Sequence, residues 1–355
     1  MNLLLLNGDG IGPEIVAATE IVLHAADQAF GLGLSVEQAT IGFDALNASG
    51  STIPDAVIET AKAADGIILG PVSHNEYPPV AQGGLNPSGV LRKTLDLYAN
   101  IRPAATRPGI APPCGTPFDL IVVRENTEGF YADRNMTTGP GEFMPDPDMA
   151  LAIRKITRAA CRRIAIAAFR LAETRPARHV TAVHKANVLR LSDGLFLEEC
   201  RAVAALHPGI AYNEVLVDAM TALLVRDAAR FDVSVSTNMY GDILSDLTAE
   251  LSGSLGLAAS LNAGTDHAMA QAQHGSAPDL AGKGLANPAS LIGSAAMLLG
   301  WLGERHDRPD LARASTAIQA ALDGCLGDAG LATPDIGGTG TTTGFARAVA
   351  GKPKD

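Results

Sequence analysis

Short apolar runs alternate with amphipathic segments along most of this chain, and this alternation is the feature that most limits its fold. Each run is five to seven residues long, which suits a strand better than a helix. The runs are GIILG (66–70), DLIVV (119–123), HVTAV (179–183), NEVLV (213–217) and FDVSVST (231–237). Strands that alternate with helices predict an α/β fold in which helices cover a largely parallel sheet.

A glycine-rich stretch, NGDGIGPEI (7–15), follows the apolar N-terminal run MNLLLL. Phosphate-binding turns of dinucleotide folds carry the pattern G-x-G-x-x-G, with an acidic residue about 20 positions later. Here Gly12 comes one position too early and Pro13 stands in the place of the last glycine. The stretch therefore predicts an ordinary strand-to-helix turn, and we expect the cofactor site elsewhere.

Composition excludes several classes of protein. The 355 residues carry a formal net charge of −11 and no basic cluster, so a nucleic-acid-binding surface is not expected. No apolar stretch approaches the roughly 20 residues that cross a membrane, and no secretory signal is evident, so we expect a cytoplasmic protein. The four cysteines lack a C-x-x-C pair, which argues against a disulfide framework or a zinc site; they are Cys114, Cys161, Cys200 and Cys325.

Three aspartates are candidate ligands of a hard cation. The segment TNMYGDILSDLTAE (237–250) follows a predicted strand and opens a helix, which places Asp242 and Asp246 one turn apart on one face. Asp218 follows another predicted strand, and ligands collect at strand ends in open α/β sheets. Three such carboxylates suit Mg²⁺ or Mn²⁺. Acids in a first helical turn also stabilise the helix dipole, so the spacing alone leaves both interpretations open.

Arginine, tyrosine and lysine side chains form a second group of candidates. Arg92 and Arg102 lie in LRKTLDLYANIRPA, and Arg124 follows a predicted strand, where its guanidinium could bind a carboxylate through two hydrogen bonds. Tyr131 is a candidate proton donor, and Lys185, which also follows a predicted strand, is a candidate base. Taken singly, each of these residues is also compatible with an ion pair, a solvated charge or a core position.

Six motifs in sequence order resemble the β-decarboxylating dehydrogenase family, which includes isopropylmalate, isocitrate, homoisocitrate and tartrate/D-malate dehydrogenases. The motifs are NGDGIGPEI, LRKTLDLYANIRPA, VVRENTEGFYA, HKANVL, TNMYGDILSDL and HGSAPDLAGKGLANPAS, and they extend over the whole chain. In these motifs the chain is most similar to the homoisocitrate and isocitrate enzymes. The resemblance implies a two-domain, isopropylmalate-dehydrogenase-like α/β fold that is not a Rossmann fold.

The resemblance also implies an enzyme that oxidises and decarboxylates a 3-substituted malate with NAD and either Mg²⁺ or Mn²⁺. Each matching position then takes the family's role. The substrate residues are Arg92, Arg102 and Arg124, which hold carboxylates, and Asn187; the base is Lys185, the proton donor is Tyr131, and the metal ligands are Asp218, Asp242 and Asp246. The cofactor residues are His274, Gly275, Ser276, Ala277, Asp279 and Asn287.

The family's architecture implies a cofactor-side domain from residues 1–97 and 249–355. A second domain, residues 98–248, would carry the substrate and metal groups, the dimer contacts and an arm near 132–150. The resemblance further implies a homodimer with shared active sites. Each site would take Lys185 and Asp218 from one chain and the other groups from its partner.

Three places depart from the family's usual pattern. The family usually has a glutamate three residues before the histidine of HGSAPD, whereas this chain has Gln271. Residues 71–84, PVSHNEYPPVAQGG, align poorly with the named members. Asp279 and Leu280 stand where NADP-using relatives carry lysine and tyrosine, and a carboxylate there favours the ribose hydroxyl of NAD over a 2′-phosphate.

The residues before Arg92 are expected to select the substrate side chain. Isopropylmalate enzymes place leucines four and three residues before this arginine, where the present chain has Ser88 and Gly89. Isocitrate enzymes place serine and asparagine six and four residues before it, and here Asn86 and Ser88 occupy those positions in the opposite order. The polar pair favours a polar or carboxylated C3 substituent, as in isocitrate or homoisocitrate.

Several alternatives stay open at this point. The substrate could instead be 3-isopropylmalate, tartrate or D-malate. An inactive regulatory paralogue is the alternative outside enzymes, although the candidate aspartates, arginines, lysine and tyrosine are all retained. A phosphohydroxythreonine-type dehydrogenase is disfavoured because the histidines do not lie in the matching segments that its metal site would need.

Overall fold

Strands and helices alternate along the computed structural model, which describes residues 1–131 and 136–352. The strands are β1 (Asn2–Leu6), β2 (Ser35–Ala39), β3 (Gly66–Leu69), β4 (Ala99–Ala105), β5 (Asp119–Glu125), β6 (Glu142–Asp146), β7 (Met149–Ala152), β8 (His179–His184), β9 (Ala211–Leu216), β10 (Val233–Ser236), β11 (Leu261–Ala263) and β12 (Ala268–Gln271). The α-helices are α1 (Gly12–Phe30), α2 (Gly42–Ser49), α3 (Asp55–Ala63), α4 (Pro87–Thr94), α5 (Arg158–Glu173), α6 (Ser192–Ala204), α7 (Val217–Asp227), α8 (Asn238–Ser252), α9 (Ala289–Arg305), α10 (Pro309–Leu326) and α11 (Thr342–Ala350).

All five apolar runs form strands, which confirms the α/β prediction. The strands are β3, β5, β8, β9 and β10, and β5 continues two residues beyond the predicted run, so that Arg124 lies within the strand. The glycine stretch is also confirmed as a turn between β1 and α1, with Pro13 in the first turn of the helix. Among the described residues, no helix combines the length and apolar composition needed to cross a membrane.

The chain divides into two compact units. Unit 1 contains residues 1–95 and 107–111 and the chain from Gly253 onward, and unit 2 contains residues 96–106 and 112–252. The cofactor and substrate roles that the resemblance gives to two domains, and the boundaries near residues 97 and 249, stay predictions.

Unit 1 is built on five strands in the order β2-β1-β3-β12-β11. The first four are parallel to their neighbours, and β11 is antiparallel to β12. Leu3 to Leu6 of β1 are fully buried, as expected for a strand covered on both faces. Helices α1, α9, α10 and α11 pack against one another in this unit.

Unit 2 is built on five strands in the order β4-β5-β10-β8-β9, of which only β4 is antiparallel to its neighbour. Successive residues of a strand point to opposite faces, and β5 shows this clearly. Val123 packs in a cluster with Phe169 of α5 and Phe196 of α6, whereas Val122 packs in a second cluster with Leu244 of α8. The sheet of unit 2 therefore has a core on each face.

A two-stranded hairpin, β6 paired with β7, extends from unit 2 with its apolar side chains exposed. It contains the last part of the predicted arm near 132–150, from residue 142 onward, and residues 132–135 of that arm lie outside the described part of the chain. The exposed apolar side chains are Phe143, Met144, Met149 and Leu151, with Ile153 just after the hairpin.

A buried ion pair fixes the chain where β8 ends. Asp193, in the first turn of α6, has no exposed surface, and its Oδ2 accepts a 2.6 Å hydrogen bond from the backbone N–H of Lys185. Its Oδ1 accepts a 2.6 Å hydrogen bond from Nη1 of Arg154. Arg154 also donates to the hydroxyls of Ser192 and Thr237, at 2.7 Å and 3.0 Å. The pair therefore ties Lys185 to the starts of α6 and α8.

Asp193→Asn should destabilise the protein strongly, because it leaves the Arg154 guanidinium buried without a counter-charge. We expect a loss of about 3–5 kcal/mol in the free energy of unfolding, measured by urea denaturation. The control is Glu198→Gln, which removes an exposed partner of Arg158 and should cost at most about 1 kcal/mol. Equal losses in the two variants would contradict this account of the buried pair.

Candidate active site

Two arginines and two aspartates of unit 2 form an alternating group of charges, which we call the charge cluster: Arg102, Arg124, Asp242 and Asp246. The two aspartates lie one turn apart on α8, as their spacing predicts. Arg102 on β4 and Arg124 on β5 share a face of the sheet, because Asn100 pairs with Arg124 and Arg102 is two residues further along β4. Nη1 of Arg102 lies 3.4 Å from Oδ1 of Asp242 and 3.2 Å from Oδ1 of Asp246. Nη1 of Arg124 donates to Oδ1 of Asp242.

The arginines of the charge cluster are buried, whereas its aspartates are partly exposed. Arg102 and Arg124 are 7% and 3% exposed, whereas the side chains of Asp242 and Asp246 are 34% and 56% exposed. Burial lowers the pKa of Arg102, and the two nearby carboxylates act against that shift. The charge cluster therefore presents carboxylate oxygens at the surface above guanidinium groups that can also receive an anion.

Asn238, the first residue of α8, holds Arg124 in place. Its Oδ1 accepts hydrogen bonds from Nε and Nη2 of Arg124, at 2.9 Å and 2.7 Å. Its Nδ2 donates to the backbone carbonyl of Glu128 at 3.0 Å. Gly241 allows the close approach of α8, because a Cβ atom there would lie only 2.6 Å from Cβ of Arg124. The orientation of Arg124 is thus set by the helix that carries both aspartates.

Tyr131 reaches the same group of charges. Its hydroxyl lies 3.5 Å from Oδ2 of Asp242, and the guanidinium carbon of Arg124 lies 6.0 Å from the centre of its ring. The structure therefore brings the predicted proton donor to two of the predicted substrate and metal residues.

Asp242 and Asp246 also suit a divalent cation in their chemistry. Both offer carboxylate oxygens, which Mg²⁺ and Mn²⁺ prefer, and both are partly exposed on one helix face. Within the described residues of one chain, however, no three histidine, cysteine, aspartate or glutamate side chains form a group that could hold a metal ion. Asp218 therefore does not join the other two aspartates in the same chain.

Asp218 instead pairs with Lys185. Lys185 follows β8 as predicted, and Asp218 lies two residues beyond the end of β9, in the first turn of α7. Nζ of Lys185 donates a 2.6 Å hydrogen bond to Oδ1 of Asp218, and this bond lowers the pKa of the Asp218 carboxyl. Asn187 is exposed two residues after the lysine. The predicted base and one predicted metal ligand thus form a second, separate polar group in unit 2.

In unit 1, helix α4 carries three of the predicted substrate residues. Asn86 caps this helix, because its Oδ1 accepts a hydrogen bond from the backbone N–H of Gly89 at 3.2 Å. Ser88 is buried and donates to Oε1 of Gln271 at 3.0 Å. Nη2 of Arg92 donates to the same oxygen at 2.9 Å. Gln271, which the sequence marked only as a departure, thus connects the two residues of the helix.

The predicted cofactor loop packs against the N-terminal glycine turn through backbone atoms. The carbonyl of Ser276 accepts a 2.8 Å hydrogen bond from the N–H of Ile11. A Cβ atom at Gly10 would lie 2.0 Å from this carbonyl, so the contact requires glycine. The hydroxyl of Ser276 lies 2.7 Å from that of Ser73. The glycine turn therefore supports the loop on which we expect the dinucleotide.

The remaining cofactor candidates differ in their surroundings. Nδ1 of His274 lies 3.0 Å from the carbonyl of Gly275, and burial lowers the pKa of this histidine, which favours the neutral ring. Asn287 donates to Asp335 at 3.0 Å. Ala277 has a positive φ of 38°, and Asp279 is exposed. These contacts order part of the loop and leave Asp279 accessible to a ligand.

Asp9 is a structural residue that the motif analysis missed. Its buried carboxylate accepts hydrogen bonds from the backbone N–H groups of Phe43 and Ser73, at 2.8 Å and 2.9 Å, and from the hydroxyl of Tyr77. Burial and the neighbouring Asp9 raise the pKa of Tyr77, so this hydroxyl keeps its proton. Ser73 and Tyr77 belong to the segment 71–84 that aligned poorly, and its first part is thus fixed to the glycine turn.

Comparisons with known proteins identify the family and the fold. A model of the isocitrate/isopropylmalate dehydrogenase family matches residues 2–349. The chain is 41% identical to the isocitrate/homoisocitrate dehydrogenase of Thermus thermophilus over 346 residues, 97% of this chain and 96% of that protein. It is 38% identical to the 3-isopropylmalate dehydrogenase of Archaeoglobus fulgidus over 349 residues, 98% of each chain.

A solved structure shows the same fold. The crystal structure of isocitrate dehydrogenase from Methylococcus capsulatus superposes with a TM-score of 0.87 at 37% identity, covering 100% of this chain and 99% of that one. The predicted fold class and the predicted resemblance are both confirmed. The chain belongs to the isocitrate/isopropylmalate dehydrogenase family of decarboxylating hydroxy-acid dehydrogenases, and it is an oxidoreductase.

Proposed function

We propose that this enzyme carries out the NAD- and divalent-metal-dependent oxidative decarboxylation of a 3-substituted malate whose C3 substituent is polar or carboxylated. The charge cluster carries this proposal. Its buried guanidinium groups suit the carboxylates of a malate, and its exposed carboxylates suit Mg²⁺ or Mn²⁺. The two signs of charge together suit a carboxylate substrate and a cation that bind side by side.

The side chains then take complementary roles. Arg92, Arg102 and Arg124 hold the substrate carboxylates, and Lys185 removes the proton from the C2 hydroxyl. Tyr131 returns a proton to the carbon that loses CO₂. A bound divalent cation would lower the pKa of the C2 hydroxyl and stabilise negative charge on its oxygen, while NAD accepts the hydride.

A homodimer with shared sites is part of this proposal. The hairpin of β6 and β7 exposes Phe143, Met144, Met149 and Leu151, and a second copy of the chain would remove these apolar side chains from water. Lys185 and Asp218 lie apart from Asp242 and Asp246 within one chain, so a partner that supplies them would complete the site. We propose that Lys185 and Asp218 serve the partner's site in this way.

Cofactor binding is assigned to the late loop. We propose that His274, Gly275, Ser276, Ala277 and Asp279 contact NAD, together with Asn287. A neutral His274 can hydrogen-bond and stack without repelling NAD⁺, and the exposed Asp279 can accept hydrogen bonds from a ribose hydroxyl. The cytoplasmic location stays a prediction.

Relatives named for isocitrate, homoisocitrate and isopropylmalate have similar identities to this chain, so the proposed substrate rests on the residues of α4. A specific observation favours the polar substrates: Ser88, where isopropylmalate enzymes have leucine, is a buried hydroxyl on the substrate helix α4. A serine side chain offers an isopropyl group less apolar contact than a leucine side chain does, which favours a substituent that is not apolar. We therefore propose Asn86, Ser88 and Asn187 as further substrate contacts.

Turnover of a substrate panel tests the proposed function. With NAD⁺ and Mn²⁺, kcat/KM for the better of isocitrate and homoisocitrate should exceed that for 3-isopropylmalate by about tenfold or more. Ser88→Leu should narrow this gap, because it replaces a hydroxyl with an apolar side chain. NADH absorbance measures both effects. A highest value for 3-isopropylmalate, tartrate or D-malate would favour those alternatives, and no turnover of any malate would favour an inactive paralogue.

Cofactor preference gives an independent prediction. NAD⁺ should exceed NADP⁺ by at least about tenfold in kcat/KM, because the carboxylate of Asp279 repels a 2′-phosphate. Asp279→Asn should reduce this preference. The control is Glu304→Gln, which removes another exposed acid, at the end of α9, and should leave the ratio as it is. Equal use of both cofactors by the unmodified enzyme would refute the role of Asp279.

A further inference from the structure

Gln271, the last residue of β12, is surrounded by hydrogen-bond donors on one side. Its Oε1 accepts from the Ser88 hydroxyl at 3.0 Å, from Nη2 of Arg92 at 2.9 Å and from Nδ2 of Asn262 at 3.4 Å. Its backbone is also fixed, because the N–H donates to the carbonyl of Ser260 and the carbonyl accepts from Ser294. A half-buried side chain with this many contacts has a defined position.

These contacts also determine which way the amide points. A guanidinium has only N–H donors, so the atom of Gln271 that faces Arg92 must be the oxygen. Nε2 therefore forms no hydrogen bond with Ser88 or Arg92. Among the residues that the structure describes, Nε2 of Gln271 has no hydrogen-bond acceptor, although the side chain is half-buried. An N–H donor held in this way is available to an acceptor on a ligand.

We propose that Gln271 is a substrate-specificity residue whose Nε2 donates a hydrogen bond to the carboxylate of the C3 substituent. This inference rests on the proposed function, because the substrate is taken to lie beside Ser88 and Arg92. A glutamate at this position could still accept hydrogen bonds from Ser88 and Arg92. It would, however, present a negative oxygen to the ligand where Gln271 presents an N–H. Compared with a glutamate, Gln271 thus keeps the contacts with Ser88 and Arg92. It offers the ligand an N–H donor in place of a negatively charged oxygen.

The test is a comparison of ligand binding by isothermal titration calorimetry, in the presence of Mn²⁺ and without NAD⁺. Isocitrate is a malate with a carboxymethyl substituent on C3, and D-malate has only hydrogen in place of that substituent. Gln271→Glu should raise the Kd for isocitrate at least about tenfold more than the Kd for D-malate, since it removes a hydrogen bond to a charged group and adds repulsion. Gln271→Met, which is uncharged and has no N–H donor, should produce a smaller shift in the same direction.

Gln273→Glu is the matched control, because it makes the same chemical change two residues further along the chain. It should change the Kd for both ligands by the same factor. Equal factors for isocitrate and D-malate in Gln271→Glu would overturn the inference. The proposed function fails if the unmodified enzyme turns over no malate, or turns over 3-isopropylmalate, tartrate or D-malate best. Both results come from the unmodified enzyme, so they are distinguishable from a failure of the Gln271 inference.

Discussion

Two guanidinium groups are buried in unit 2, and carboxylates on α8 face them. Removing a charged group from water costs several kcal/mol, and a paired opposite charge is what offsets that cost. Arg102 and Arg124 are almost fully buried, and each reaches Asp242. The positions of β4, β5 and α8 relative to one another therefore depend on this cluster as well as on the apolar core on the same face of the sheet.

The same pairing has a consequence for ligand binding. Asp242 cannot give its full charge to a metal ion while two arginines share it, and the arginines cannot bind substrate carboxylates fully while they are held by aspartates. In the function proposed above, a dicarboxylate substrate would take over the guanidinium groups and free the carboxylates for a cation. Substrate and metal should therefore strengthen each other's binding, and by linkage the factor is the same in both directions.

Local patterns predicted much of this molecule. The apolar runs predicted five strands because a strand buried on both faces needs continuous apolar sequence, and the four-residue spacing placed Asp242 and Asp246 on one helix face. The resemblance of six sequence motifs identified the family. Contacts between distant residues were not predictable in this way. Asp9 binds Ser73 and Tyr77, Asp193 binds Arg154, and Gln271 binds Arg92, each across dozens of residues. No spacing rule relates such positions, because the tertiary fold alone brings them together.

Binding of Mn²⁺ to the metal-free enzyme, measured with and without saturating isocitrate, tests the central role of the charge cluster most directly. The account predicts that isocitrate tightens Mn²⁺ binding by about tenfold or more. It also predicts that Asp242→Asn weakens Mn²⁺ binding under both conditions. An Mn²⁺ affinity that is the same with and without isocitrate, or that is unchanged in Asp242→Asn, would contradict it.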